Sequence, residues 1–359
     1  MISVLYTING LRVNGMSAVV MQYIRNLSKK EYSFTIFTDE IDPQFFQDLK
    51  DNKVRVIQSK MRRKNQFAYY RELLEIMRKE HFDILHAHGN SSTIAVELVA
   101  AKKSGIPMRV AHSHNTTCDH IYIDKILRPI FYKSYTHGIG CGIEAGKWMF
   151  GSRPHIVLKN GVDLQRFQFN QEIRDMTRFE LGVEDKFVLG HVGRFTDQKN
   201  HQFLLRVFRE YHEENDRSVL VLVGNGPLEE QIKQEAKRLG ISDDVIFYGT
   251  TPSTEKIYSA MDCFVFPSKY EGVPLTLVEA QANGLACFIS NKVSSEVIQT
   301  RLVTCLPLDD CRNWAAVLPK SIERRKPDSE TAISELEAGG FSLSGVIKEL
   351  DGLYKESRK

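Results

Sequence analysis

Short apolar runs alternate with amphipathic stretches along nearly the whole chain, and this alternation is the strongest constraint on its fold. Ser3–Thr7, Tyr32–Thr38, Val54–Gln58, Ile84–Ala87, Arg109–His112, Gly138–Cys141 and Ile156–Leu158 read as strands. Ala18–Leu27 reads as a helix, and so does Gln66–Lys79, where Phe67, Tyr70, Leu73, Leu74 and Met77 recur at helical spacing. A second series of strands begins with Val188–Val192 and continues through Val219–Val223, Val245–Tyr248, Phe264–Phe266 and Cys287–Ile289. Helices at Gln202–Glu214, Leu228–Leu239, Thr254–Ser259 and Leu275–Asn283 fit between them. Strands and helices in strict alternation form parallel sheets covered on both faces. The expected fold class is therefore α/β, with two doubly wound domains in tandem facing a central cleft. Two domains also suit 359 residues. The polar segment Asp163–Glu184 lacks a strand pattern and is expected to be the linker. The last helix, Leu343–Lys355, could belong to either domain.

Composition narrows the function classes. With 42% hydrophobic and 26% charged residues the chain is neither disordered nor fibrous. Its longest apolar runs, such as Val219–Val223, fall far short of the roughly 20 residues of a membrane-spanning helix. The start Met1-Ile2-Ser3-Val4 reads as a strand rather than a secretion signal, so a cytoplasmic location is expected. The six cysteines form no Cys-x-x-Cys pair and read as reduced thiols. Net charge is +3, but residues 1–170 carry 24 Lys and Arg against 15 Asp and Glu, and the rest is acidic. A basic first half suits an anionic surface or substrate, or is plain solvated charge.

Several loops follow strands and precede helices, where backbone N–H groups and dipoles favour anions. Asn14-Gly15 is one, and Gly15 would let backbone approach a ligand. Gly140-Cys-Gly142-Ile-Glu-Ala145 is read as a tight turn, since it sits on a late strand with no following acidic partner, and Gly224-Asn-Gly226-Pro227 as another, since Glu229 stands at its third position and Pro227 at a helix start. The strongest pattern is Pro267-Ser-Lys-Tyr-Glu271-Gly-Val273-Pro274-Leu275-Thr276-Leu-Val-Glu279. It sets two carboxylates about a helix N-terminus, giving acceptors for sugar and ribose hydroxyls beside donors for a phosphate. Gly193-Arg194-x4-Lys199 follows another strand and supplies two cations that could neutralise a diphosphate leaving group.

Together these residues resemble a retaining family 4 glycosyltransferase of the GT-B fold, made of two Rossmann-like domains. Lys159-Asn-Gly-Val-Asp163 and Ala280-Gln-Ala-Asn-Gly284 belong to the same likeness, which runs the whole length of the chain. It implies an acceptor domain over residues 1–165, joined by residues 343–359, and a nucleotide-sugar domain over 166–342. It implies that Arg194 and Lys199 bind the donor diphosphate beside Gly193, that Glu271 meets the transferred sugar, and that Glu279 meets the ribose. Backbone N–H groups across Val273, Pro274, Leu275 and Thr276 would hold sugar and phosphate; Pro274 itself carries none. Gly15 would let a first-domain loop close on the diphosphate, although Asn14 stands where the family usually has a second glycine. His114, in Ala111-His-Ser-His-Asn115, would meet the donor sugar or help position the acceptor.

The implied activity is transfer of a hexosyl unit, with retention, from a nucleotide sugar to a growing saccharide. A UDP-sugar is the first choice of donor and GDP-mannose the second. The acceptor is expected on a polyprenyl diphosphate carrier, in capsule or exopolysaccharide synthesis. No cofactor or metal is expected: the chain has no Asp-x-Asp, and Arg194 with Lys199 would take the metal's place. A UDP-N-acetylglucosamine 2-epimerase-like enzyme and a non-catalytic sugar-nucleotide-binding partner are the alternatives.

Two further features bear on partners. His86-Ala-His88 and His112-Ser-His114 end neighbouring strand candidates. A zinc site is disfavoured on the expectation that strand alternation sends the two histidines of each pair to opposite faces. Lys60-Met-Arg62-Arg63-Lys64-Asn-Gln-Phe67-Ala-Tyr69-Tyr70-Arg71 is basic and aromatic, and is expected to meet an anionic membrane at the inner face. No nucleic-acid recognition module is present.

Overall fold

The computed structural model describes residues 1–12, 14–59, 61–62, 64–318 and 328–358. The chain divides into two compact units, Met1–Gly161 with Ser344–Lys359, and Val162–Leu343.

The first unit is built on seven strands: β1 (Ile2–Ile8), β2 (Tyr32–Thr38), β3 (Arg55–Gln58), β4 (Ile84–Gly89), β5 (Met108–Ser113), β6 (His137–Gly140) and β7 (Ile156–Val157). They pair in parallel throughout, in the order β3-β2-β1-β4-β5-β6-β7. The second unit holds β8 (Phe187–Val192), β9 (Ser218–Val223), β10 (Val245–Gly249), β11 (Cys263–Phe266), β12 (Ala286–Ser290) and β13 (Val303–Leu306). Their order is β10-β9-β8-β11-β12-β13, again all parallel. Both sheets are buried on two faces, which is why their strands read as continuous apolar runs. Tyr6, Phe34, Val110 and Ile139 pack on one face of the first sheet, and Leu5, Leu85, Ala87 and Ala111 on the other.

Each sheet therefore has a point where the strand order reverses, between β1 and β4 and between β8 and β11. The crevice at the strand C-terminal ends beside such a point is where ligands bind in doubly wound folds.

The expected linker Asp163–Glu184 is mostly structure. Gln171–Leu181 is a helix, and its polarity has a partner: Arg174 and Arg178 are buried against Asp262 at 2.5 and 3.1 Å. Two of the segment's polar residues are thus buried and paired, and the others lie mostly on its exposed side. The chain passes between units at Gly161–Val162 and again at Leu343–Ser344. These two passages are zipped together, with Val162 N donating to Phe341 O and Leu343 N to Val162 O at 2.8 and 2.9 Å.

Candidate functional site

In the second unit the loops after β8 and β11 lie side by side at the strand-order reversal. The β8 loop is anchored by Gly193 N to Val223 O at 2.9 Å and by Phe195 N to Asn225 O at 2.8 Å. Phe195 is buried and stacks on His201, ring centroids 4.3 Å apart. The β11 loop is laced to it: Lys269 N donates to Gln198 O at 2.8 Å, Gln198 Nε2 to Tyr270 O at 3.0 Å, and Asn200 Nδ2 to Pro267 O at 3.2 Å.

This lacing brings Lys199 Nζ to 2.7 Å from Glu271 Oε1, with both side chains largely enclosed. The ammonium also sits over the Phe266 ring, 4.4 Å from its centroid. Arg194 is exposed and has no carboxylate partner among the described residues. One cation is thus held in place by a carboxylate and an aromatic face, and the other is available to an anion.

Glycine is required around this loop. A Cβ on Gly193 would come within 2.9 Å of the buried His191 Nε2 and 3.2 Å of Lys199 Cδ. Gly224 has φ +136°, and a Cβ there would lie 2.2 Å from Gly193 O. The Gly224-x-Gly226 turn therefore supports the Arg194 loop from below. Gly224→Ala is expected to cost about 2 kcal/mol or more in stability. Chemical denaturation would read the effect.

The helix Leu275–Ala282 begins at Pro274, and its first N–H groups have no intrahelical acceptor. Glu279 lies one turn in. Tyr258 Oη is 2.9 Å from Glu279 Oε2 and 3.0 Å from the Thr276 carbonyl, so its single proton serves both. Burial pushes the Glu279 carboxyl up to about 7, against the hydrogen bond from Tyr258 and the charge of Arg166. Tyr258 carries no signal in the sequence, because at Thr254–Ala260 it reads as an ordinary helix core residue.

In the first unit Asn14 caps the helix Gly15–Asn26, accepting from Ser17 N at 2.9 Å. Gly15 does not have positive φ, and a Cβ there would meet nothing within 4 Å. The fold by itself therefore does not demand glycine at this position.

The histidine expectation is corrected. Residues i and i+2 of a strand share a face, and His86 and His88 stack at 4.3 Å, as do His112 and His114 at 4.2 Å. His88 pairs in register with His112 across β4 and β5. His86 Nδ1 is 2.6 Å from Tyr354 Oη, which is 2.9 Å from Tyr6 Oη. His86 Nε2 is 3.1 Å from His112 Nδ1, and His88 Nδ1 is 2.8 Å from His114 Nε2. Burial drives all four imidazoles toward the neutral form, His114 to about 3.

Ring nitrogens of His86, His88 and His112 fall within 4.8 Å of one another, close enough for a metal. His86, however, uses both of its nitrogens on Tyr354 and His112. The buried Nε2 atoms of His88 and His112 have no partner among the described residues. An orphaned N–H is rarer in proteins than an orphaned acceptor, so the protons belong on Nδ1. His88 then donates to His114 Nε2, which leaves His114 with its proton on Nδ1.

The basic segment is only half a surface. Arg62 is enclosed, paired with the buried Glu97 at 2.9 Å and set against the Tyr69 ring. Lys60 and Arg63 lie outside the described residues. Lys64, Phe67 and Arg71 are exposed.

Two doubly wound parallel sheets, with cations and a helix N-terminus beside carboxylates at the switch point of the second, place a site suited to an anion in the second unit. Residues 13–166 match the family Glycosyltransferase Family 4, and residues 173–301 match Glycosyl transferases group 1. EpsF of Bacillus subtilis (strain 168), classed as a glycosyltransferase, is 31% identical over 99% of this chain and 96% of its own length. The Escherichia coli UDP-Gal:alpha-D-GlcNAc-diphosphoundecaprenol alpha-1,3-galactosyltransferase is 27% identical over 78% of this chain and 76% of its own. The crystal structure of Anabaena Alr3699/HepE in complex with UDP superposes with a TM-score of 0.81 at 15% identity, covering 99% of this chain and 100% of that one. The chain belongs to the family 4 glycosyltransferases and has their GT-B-type pair of Rossmann-like domains.

Proposed function

We propose that this glycosyltransferase moves a hexosyl unit, with retention and without a metal, from a UDP-sugar to a growing saccharide on a polyprenyl diphosphate. The setting is capsule or exopolysaccharide assembly at the cytoplasmic face of the membrane. The observation that carries this reading is the Lys199–Glu271 pair at 2.7 Å beside the unpaired Arg194 and the helix start at Leu275. The E. coli relative, whose name gives a UDP-linked donor and a diphosphoundecaprenol acceptor, supports both ends of the reaction.

In this reading Arg194 and Lys199 hold the diphosphate and take up charge as the sugar–phosphate bond breaks. Glu271 accepts from a sugar hydroxyl and keeps Lys199 in place. N–H groups at Val273, Leu275 and Thr276 complete the anion site beside Gly193, and Glu279 accepts from the ribose. The likeness to the family assigns His114, an Nδ1–H donor, to the donor sugar and Gly15 to the diphosphate. Attack on the face the phosphate leaves retains configuration, so the enzyme's work is positioning and charge stabilisation.

Calorimetric titration with UDP-, GDP- and ADP-sugars, with and without EDTA, tests donor and metal together. Selective UDP-sugar binding that EDTA does not alter is expected, and transfer to a polyprenyl-diphosphate saccharide should give the retained anomer. An inverted product, release of a free sugar epimer, or EDTA-abolished binding would overturn it. The same titration has a pH signature. Below about 7 the Glu279 carboxyl is protonated in the free protein, and ribose hydroxyls favour the carboxylate. Affinity for a UDP-sugar, whose diphosphate does not titrate near neutrality, should fall about tenfold from pH 8 to 6. Glu279→Gln should flatten that dependence.

A further inference from the structure

The helix Ile121–Tyr132 is inside out. Its one acid, Asp124, is buried: Oδ1 accepts from Ser92 N at 2.7 Å and Oδ2 from Arg128 Nε at 2.7 Å. The Asp124 carbonyl accepts from Ser92 Oγ at 2.6 Å, and Arg128 Nη2 donates to Trp148 O at 3.1 Å. Phe131 is the other buried side chain of the helix. The apolar residues that would ordinarily face a core point to solvent instead. Tyr122 is 83% and Ile126 73% exposed, and Ile121, Ile123 and Ile130 are exposed with them. Lys125 is exposed among them, and no exposed carboxylate lies on the helix.

We propose that this helix is a membrane-docking element, seating its isoleucines and Tyr122 at the headgroup–acyl boundary while Lys125 meets an anionic headgroup. Four isoleucines and a tyrosine on one short helix form a patch that a soluble monomer rarely presents. A ring with a polar tip beside aliphatic side chains and a cation is the composition of an interfacial helix. The absence of any exposed acid on the helix favours an anionic lipid surface over a neutral protein groove. The polar anchors Asp124 and Arg128 fix which face looks outward, so the apolar face is built into the fold. This helix takes over the role expected of the basic segment, whose Arg62 is spent internally. The inference deepens the reading of a lipid-linked acceptor and rests on it for its purpose, but binding is tested without any acceptor.

The experiment is flotation of the full chain with vesicles of phosphatidylcholine alone, and of phosphatidylcholine mixed with phosphatidylglycerol. The wild type should float with the anionic vesicles. Ile126→Asp and Tyr122→Ser should each lower partitioning about tenfold, with unfolding midpoints unchanged because both side chains are exposed. Lys125→Glu should remove the preference for anionic over neutral vesicles. A wild type that stays in solution, or an Ile126→Asp variant that floats as well as wild type, would overturn the proposal. So would a wild-type dimer that Ile126→Asp dissolves without any vesicle binding, since the face would then join two copies. The donor titration, run on the same variants, reports on the proposed activity independently.

Discussion

Lys199→Ala should lower kcat by about 10²–10³-fold, a loss of roughly 3–4 kcal/mol of transition-state stabilisation. The ammonium is fixed by Glu271 at 2.7 Å and by the Phe266 ring. It needs no reorganisation to meet a diphosphate that gains charge as its bond to the sugar breaks. Removing it also leaves Glu271 enclosed without a counter-charge, and a carboxylate beside a departing phosphate repels it. Arg194→Ala should behave differently. Its side chain is exposed and held by no carboxylate among the described residues, so its loss should lower kcat less than that of Lys199 and raise KM for the donor more. Lys199→Ala/Glu271→Gln should recover stability relative to Lys199→Ala but not kcat. Steady-state kinetics with thermal unfolding would check all three, and an unaltered kcat in Lys199→Ala would remove Lys199 from the mechanism.

His88→Leu should reduce kcat/KM by about ten- to a hundredfold although His88 is placed on no substrate. Its Nδ1 lies 2.8 Å from His114 Nε2, and its orphaned Nε2 assigns the proton to Nδ1. In the proposed mechanism His88 is a positioning residue: it fixes His114 as an Nδ1–H donor and keeps the ring from turning. Leucine fills the space but donates nothing. Asparagine places an amide N–H near the same spot and should restore most of the activity. Nitrogen-15 spectra of the histidine rings would show His114 protonated on Nδ1 in the wild type and in His88→Asn. A tautomer mixture is expected in His88→Leu. If wild-type His114 carried its proton on Nε2, this assignment would fail whatever the kinetics. Deep burial drives the four rings toward the neutral form, so none of these four should contribute a titration to the pH–rate profile above about pH 5.

Most of the framework was legible in the sequence. Strands buried on both faces are continuous apolar runs, and β1, β2, β4, β8, β9 and β11 stand out for that reason. β13 does not stand out, because Val303–Leu306 lies at a sheet edge and is half exposed. The outward face of Ile121–Tyr132 was not legible, because an apolar stripe on a helix reads the same whether it meets a core or solvent. The Gln171–Leu181 helix was hidden by two arginines whose acid, Asp262, is more than 80 residues away.

By itself the sequence determined the class of fold, the family and the loops that bear its motifs. These depend on local periodicity and on residues close together in the chain. It could not say what those residues do to one another. That Lys199 is held by Glu271, 72 positions away, follows from the adjacency of β8 and β11. That the His88 and His114 rings meet nitrogen to nitrogen follows from the register of β4 on β5. That Glu279 titrates near neutrality follows from burial beside Tyr258. Protonation, pairing and exposure are set by what surrounds a group in space. Only the tertiary structure fixes those surroundings, because each desolvating or charged neighbour comes from a distant part of the chain.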